Sequence, residues 1–416
     1  MDSICIQGGI ALQGKVHIQG SKNAALPILA ATLLVGEKSC INNCPRISDV
    51  HSMVSLLKGL NCEVCWHEGG IVVDSANACC GKLPRDAVTA MRSSIFLLGA
   101  LIGRCNQVEL EYPGGCVIGS RPIDLHIKAL RQMGVVFEEK AGHLRAKTEK
   151  LHGAEICLPF PSVGVTENVI LAGVMAEGNT LLSGAAREPE VTALCEYLCC
   201  CGAVIEGIGS NRLKIHGGRR LYGTEFRVPS DRIVAGTYLF ACVGAGGCVL
   251  LEGAPKEDMC ATLKLAEEMG AGIFCSGQGI YVQAPARPAP VAISTAPHPG
   301  FPTDLQSTVL AVSAIADGES IIEEKIFENR FRILEDLRKM GACMELVDER
   351  SVRVQGVKTL KGACVEAKEL RGGAALVVAG LMARGNTRVD NCRYIYRGYE
   401  NICRDFRELG ARIISV

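Results

Sequence analysis

The chain has 416 residues, room for two to three domains at about 150 residues each. Its 44 basic and 44 acidic residues cancel, which excludes binding to nucleic acid or to an acidic membrane surface by bulk charge. An apolar share of 48% with no long polar tract excludes wholesale disorder. From the N-terminus onward, one pattern returns six times: an apolar, small-residue run, a glycine, then a short strand-like stretch. The six are ALPILAATLLVGEKSCI, SSIFLLGALIGRCNQVEL, ENVILAGVMAEGNTLLSG, IVAGTYLFACVGAGGCVLLEG, LQSTVLAVSAIADGESIIEE and GAALVVAGLMARGNTRVDN. Their turn glycines, Gly36, Gly103, Gly178, Gly247, Gly318 and Gly385, recur about every 70 residues. A second signal keeps that period: an amphipathic helix, a glycine (Gly134, Gly202, Gly270, Gly341, Gly410), then a hairpin or strand.

Each unit therefore holds one helix apolar on all sides, expected to be buried, and one amphipathic helix, expected to be partly exposed. The final unit has little chain after Gly410, so the segment before Lys22 is expected to complete its strands, making one domain discontinuous. Residues 233–251 carry no charge, but their glycines break the run into a helix, a turn and a strand rather than a membrane span.

The 22 cysteines meet an N-terminus, MDSICIQGGIALQGKV, without the basic-then-apolar pattern of a signal peptide. A cytoplasmic protein without a disulfide framework is expected, its cysteines reduced and nearly all buried as small hydrophobes. Cys62 and Cys65 have CxxC spacing with His67 nearby, but no second pair stands at a zinc-site distance. The segment CEVCWHEGGIVV reads instead as two strands around a Gly-Gly turn, and no metal is expected.

Polar residues gather where the buried helices begin: Lys22-Asn23, Arg92, Ser162-Val163-Gly164, Ser230-Asp231-Arg232, Thr303-Asp304 and Arg371. Ser230-Asp231 and Thr303-Asp304 suit ordinary capping. Lys22, Arg92 and Arg371 do not, because a cation opposes the positive end of the helix dipole. A polyanionic ligand held near helix N-termini accounts for them better. The loop Pro113–Gly119 has three glycines around Cys116, followed by Ser120-Arg121-Pro122. A thiol in a glycine-rich loop beside a cation suits a reactive cysteine; incidental packing is the alternative. The segment TAPHPGFPTD, with three prolines, reads as a stiff, extended lead-in that holds Asp304 in place, or as a linker.

These segments carry a resemblance. GSKNAALPILAA, MRSSIFLLG, PGGCVIGSRPIDLHI, SVGVTEN, AAREPEV, VPSDRIVAGT, TAPHPGFPTD, FENRF, LRGGAALVVAG and YRGYENI resemble the enolpyruvyl transferases that act on UDP-N-acetylglucosamine, over essentially the whole chain. The resemblance implies an α/β fold, a two-domain inside-out α/β barrel of six βαβαββ repeats. Residues 1–20 with 230–416 would form one domain, and residues 21–229 the other, carrying the Cys116 loop. It implies transfer of the enolpyruvyl group of phosphoenolpyruvate to the 3'-hydroxyl of UDP-N-acetylglucosamine, releasing phosphate, as the first committed step of peptidoglycan precursor synthesis. Neither cofactor nor metal is implied, and the partners are those two small molecules, without nucleic acid or membrane insertion.

By the same resemblance, Cys116 is the general acid, open to the epoxide fosfomycin, with Asp304 and Lys22 as further catalytic residues. Lys22, Asn23, Arg92, Arg121 and Arg397 bind phosphoenolpyruvate. UDP-N-acetylglucosamine is held by Asn23, Arg92, Arg121, Pro122, Ile123, Asp124, Leu125, Ser162, Val163, Gly164, Asp304, Ile326 and Arg330. Asp231, Glu369 and Arg371 support domain closure. Glu369 replaces the family's usual Asp, and Tyr396 a usual acidic residue. The sister transferase acting on shikimate 3-phosphate and a non-catalytic UDP-sugar sensor are the alternatives.

Overall fold

The computed structural model describes residues 3–80, 83, 88, 91–111, 123–140 and 143–416. They divide into two compact units, residues 3–19 with 230–416, and the described residues of 20–229. In the 20–229 unit three inner helices, Lys22–Val35, Phe96–Cys105 and Val163–Gly173, pack on one another. In the other unit Arg232–Ala245, Thr303–Ser313 and Leu370–Met382 do the same. The inner helices are made of alanine, glycine and aliphatic residues, so they can be buried all round. Every residue of Leu370–Met382 is buried.

Small residues set the spacing. Gly99 meets the Val163–Gly173 helix so closely that a Cβ there would lie 2.5 Å from the carbonyl oxygen of Asn168. Amphipathic helices such as Ser48–Gly59 and Ile402–Glu408 bury one face and expose the other.

Among the described residues six small sheets accompany these helices, three in each unit. In five of them a strand before the inner helix runs parallel to the strand after it, and a hairpin completes the set. Glu155–Cys157, helix Val163–Gly173 and Asn179–Ser183 form one such crossover. The first and fourth crossovers take their leading strands from elsewhere in the chain. Glu225–Arg227 pairs with Lys38–Asn42, and Leu12–His17 with Gly247–Glu252. This exchange is what makes one unit discontinuous: strand Ser3–Gln7 sits between Asn386–Asp390 and Arg412–Ser415. Ser21 N–H donates to Pro229 O, and Asp231 N–H to Gln19 O, both at 2.8 Å, pinning the connecting segments.

Among the described residues no helix is long and apolar enough to cross a membrane. The uncharged stretch divides into helix Arg232–Ala245 and strand Gly247–Glu252. The CxxC segment forms the hairpin Glu63–His67 and Gly70–Asp74, and no group of three or more His, Cys, Asp or Glu among the described residues could hold a metal ion.

Four expectations need correction. The first concerns burial of the cysteines: among the described residues nine free ones are exposed, Cys65, Cys157, Cys343 and Cys364 among them. These lie on strands, where alternation turns every second side chain outward. The second is pairing: Cys80 is disulfide-bonded to Cys105, which ends the Phe96–Cys105 helix. The third is Gly103, which lies inside that helix; the left-handed turn residue is Asn106, φ 57°. The fourth is the proline-rich segment. It is folded back rather than extended, with Ala296 N–H donating to Phe301 O and Gly300 N–H to Pro297 O.

Candidate functional site

In the 20–229 unit the helix Lys22–Val35 is capped by Ser21, whose Oγ accepts from Ala24 N–H at 3.3 Å. Lys22 is its first residue, and the dipole there disfavours a cation. Asp49 answers this: its Oδ2 lies 2.7 Å from Lys22 Nζ, and both side chains are nearly buried. Asn23 follows, half-buried. Arg92 opens the short 3-10 turn Arg92–Ile95 that leads into Phe96–Cys105, and burial pulls its pKa down. Ser94 Oγ, bonded to Val88 O and Met91 O at 2.9 Å, fixes this turn.

Ile123 is buried and precedes the helix Asp124–Gln132. Asp124 is exposed, and Leu125 packs partly on the core. Ser162 stands at the N-cap of Val163–Gly173 without a side-chain cap bond, so Val163 and Gly164 open that helix with free amides. Asn168, one turn on, accepts from Gly99 N–H at 2.6 Å and donates to Gly164 O and His126 Nδ1, each at 3.1 Å. Cys116, Arg121 and Pro122 lie outside the described residues.

In the other unit four predicted residues converge. Asp304 Oδ1 accepts from Arg330 at 2.8 Å, and its Oδ2 from Arg371 at 2.7 Å. Glu369 Oε2 lies 3.5 Å from Arg330 Nη1. Both arginines and Glu369 are buried, whereas the Asp304 side chain is 23% exposed. Burial opposes the Arg371 charge, but Asp304, then Tyr399 and Asp231, outweigh it and push its pKa up.

Glu369 is also the N-cap of Leu370–Met382, accepting from the amides of Arg371 and Gly372. Its longer arm folds back onto its own helix. Asp231 caps Arg232–Ala245 through Ile233 and Val234 N–H at 2.8 and 3.0 Å. The expectation that Thr303-Asp304 caps its helix fails: the cap residue is Pro302, and both side chains are engaged elsewhere. Arg397 ends the turn Cys392–Arg397, half-buried. Tyr396 packs partly against the core, where burial first, then Cys403 and Cys392, push its hydroxyl up to about 12.

One organising residue escaped the sequence reading. Glu324 is fully buried and accepts from Thr295 and Thr303 Oγ1 at 2.9 and 2.8 Å, and from the amides of Ile326 and Phe327 at 2.8 and 3.0 Å. It ties both ends of the proline-rich segment to the backbone of Ile326. Asp49 and the Asn168–His126 pair escaped as well. The available signals were the histidine in DLH and an Asn one helical turn beyond Gly164.

Taken together, one unit offers a buried lysine, a half-buried arginine and free helix amides, a setting for anionic groups. The other offers a half-exposed carboxylate gripped by two guanidiniums, able to accept from a hydroxyl on its remaining lone pairs.

The chain matches the sequence profile of the EPSP synthase (3-phosphoshikimate 1-carboxyvinyltransferase) family over residues 6–406 and belongs to that family. Among curated relatives it is 44% identical to UDP-N-acetylglucosamine 1-carboxyvinyltransferase 2 of Caldanaerobacter subterraneus subsp. tengcongensis, covering 100% of both chains. It is 44% identical to UDP-N-acetylglucosamine 1-carboxyvinyltransferase of Nitratidesulfovibrio vulgaris, covering 99% of each. Among solved structures, the enolpyruvyl transferase NikO from Streptomyces tendae has a TM-score of 0.89 at 24% identity, covering 99% of this chain and 98% of that one. EPSP synthase from Acinetobacter baumannii has a TM-score of 0.74 at 18% identity, covering 100% and 99%. These two structures speak for the fold alone.

Proposed function

We propose that the protein transfers the enolpyruvyl group of phosphoenolpyruvate to the 3'-hydroxyl of UDP-N-acetylglucosamine, with release of phosphate. The observation that carries this reading is identity of 44% over the full chain with a relative named for that reaction. In a cell the reaction would serve peptidoglycan precursor synthesis in the cytoplasm, and fosfomycin would alkylate Cys116.

The chemistry assigns roles. Cys116 gives its thiol proton to the methylene carbon of phosphoenolpyruvate, and a free thiol, with a pKa of about 8.5, is mostly protonated at neutral pH. The sugar oxygen then bonds to the central carbon while its proton passes to Asp304. Loss of a proton from the methyl group so formed, back to the Cys116 thiolate, and cleavage of the carbon–oxygen bond to phosphate restore the double bond. Lys22, Asn23, Arg92, Arg121 and Arg397 hold the phosphate and carboxylate. Pro122, Ile123, Asp124, Leu125, Ser162, Val163 and Gly164 hold the nucleotide; Ile326 and Arg330 line the sugar side. Asp231, Glu369 and Arg371 support the Asp304 side. Residues 21–229 would be the domain of the nucleotide and the Cys116 loop, and residues 1–20 with 230–416 the domain of Asp304.

The test is phosphate release from phosphoenolpyruvate with UDP-N-acetylglucosamine and, separately, with shikimate 3-phosphate. Release with the first acceptor alone is expected. Release only with the second would replace the reading by the sister activity. Binding of UDP-N-acetylglucosamine without turnover would replace it by a sensor.

A further inference from the structure

His126 is buried, 6% exposed, on the first turn of the helix Asp124–Gln132, and the roles assigned above leave it idle. Its hydrogen bonds fix where its proton sits. An amide N–H can only donate, so Gly99 N–H, 2.6 Å from Asn168, identifies the Asn168 oxygen. The other end of that side chain is therefore its NH2, which donates to Gly164 O and to His126 Nδ1, each at 3.1 Å. Nδ1 is then a bare acceptor, and the neutral ring carries its hydrogen on Nε2.

A second proton would set N–H against N–H. Burial first, then the Arg92 charge, disfavour it; Asp124 opposes them, and the pKa falls to about 4. Among the described residues Nε2 has no hydrogen-bond acceptor.

The ring edge lies against the opening of the helix Val163–Gly173. A Cβ built on Gly164 would stand 3.3 Å from Cε1 and 3.6 Å from Nε2, so the absence of a side chain there makes room for the imidazole. Beside it are the opening amides of the helix and the cap residue Ser162, which spends no side-chain bond on them. Backbone amides and an N–H with no acceptor thus share one small region, and all of them donate.

We infer that His126 binds the nucleotide directly: as the neutral Nε2–H tautomer it donates a hydrogen bond to a diphosphate oxygen of the UDP-sugar held at Ser162–Gly164. This rests on the proposed function. His126 supplies a directed dipole rather than a charge, so its contribution does not titrate near neutral pH. The Asn168 amide, fixed from both sides, keeps the ring from flipping Nε2 away. Asn168 is a positioning residue, whereas His126 touches substrate.

Two variants separate this role from packing. His126→Asn retains an acceptor near the position of Nδ1 but has no atom at Nε2. His126→Gln carries an amide N–H2 near Nε2 but lacks the inner acceptor. Calorimetric titration with UDP and with UDP-N-acetylglucosamine should show about tenfold weaker binding for the Asn variant and less than about threefold weakening for Gln. The KM for phosphoenolpyruvate should stay unchanged. Nitrogen NMR of the wild type should show an unprotonated Nδ1 and an Nε2–H signal that moves when UDP is added. An Asn variant that binds as the wild type does, or a Gln variant weaker than Asn, would overturn the inference. Wild-type protein that binds neither UDP nor UDP-N-acetylglucosamine would instead overturn the proposed function, and this inference with it.

Discussion

Glu324→Ala probes the placement of Asp304 without touching it. The buried carboxylate takes four hydrogen bonds, from two threonine hydroxyls and two backbone amides, at 2.8 to 3.0 Å. Bonds to a charged acceptor are each worth about 1.5–3 kcal/mol, but bonds sharing one acceptor do not add. After truncation the hydroxyls of Thr295 and Thr303 can rotate to other partners. The amides of Ile326 and Phe327 cannot, and each buried orphan costs about 1–3 kcal/mol. A loss of about 3–5 kcal/mol is expected for Glu324→Ala. Glu324→Gln keeps an oxygen for three of the donors and offers N–H2 to the Thr303 hydroxyl, so it should lose only about 1–2 kcal/mol. Urea unfolding followed by circular dichroism measures both. The single tryptophan, Trp66, belongs to the 20–229 unit, so its fluorescence serves as a reference transition. Hydrogen exchange should quicken at Ile326 and Phe327, and the KM for UDP-N-acetylglucosamine should rise more than that for phosphoenolpyruvate. A loss below about 1 kcal/mol for Ala, or equal losses for Ala and Gln, would refute the reasoning.

Other outcomes follow from the same kind of accounting. Asp304→Asn should leave nucleotide binding within several-fold but slow turnover by about 100-fold or more, measured by phosphate release; equal losses in both would make Asp304 a positioning residue only. His126, with a folded pKa of about 4 against an ordinary 6.5, leaves its proton to the unfolded chain. Its contribution is complete above about pH 7 and is lost as pH falls toward 4, by about 3 kcal/mol at 1.36 kcal/mol per unit. Trp66-monitored unfolding across that window should show this dependence in the wild type and not in His126→Asn. Glu167 is fully buried, and burial first, then Glu190 and Glu188, push its pKa well up. Folding therefore takes up a proton at neutral pH, and stability from this site declines as pH rises. Glu167→Gln should remove that decline, with its advantage over the wild type growing as pH rises above the ordinary carboxylate range in urea titrations. Reduction of Cys80–Cys105 should add two titratable thiols and, by opening a loop of 25 residues, cost about 3 kcal/mol; identical unfolding with and without reductant would count against it.

The fold was legible because its period is written in glycines that the backbone needs. Gly134, Gly202, Gly270, Gly341 and Gly410 all have φ between 84° and 103°, where an L side chain is strained. The same rule explains two lapses. Asn61 and Asn106 occupy left-handed positions at φ 66° and 57°, and asparagine is the other residue that tolerates them. A count restricted to glycine therefore missed one unit's outer turn and assigned Gly103 to another's inner turn. The cysteines misled for a different reason. Composition cannot tell the inward from the outward side of a strand, and a one-residue shift exchanges them. Cys343 points outward on a strand that buries its neighbour Met344.

The candidate site was legible in part, and the division has a physical cause. Cations at helix N-termini stand out because they oppose the dipole, and the structure resolves the conflict by pairing: Lys22 with Asp49, Arg371 with Asp304. The oddity that sequence exposes is one half of an interaction, and its partner lies on another element. Asp49 opens a helix after a strand and a turn, and Glu324 stands in a run of acidic residues at the end of a strand, where a solvated face is the ordinary reading. Neither carries a local conflict, so neither draws notice until the chain is folded. Asp304 shows how far the pairing reaches. Its two oxygens receive Arg330 and Arg371, while Glu369 sits against Arg330 and caps the helix that begins with Leu370 and Arg371. A shorter Asp at 369 would lose reach to one of these duties, so Glu369→Asp should weaken the cap or release Arg330. The first outcome would lower stability by about 0.5–2 kcal/mol. The second would leave stability nearer the wild type and slow turnover, because Asp304 would be held by Arg371 alone. Unfolding and phosphate release measured on one preparation decide between them; a variant unchanged in both would show that Glu369 spans no distance an aspartate cannot.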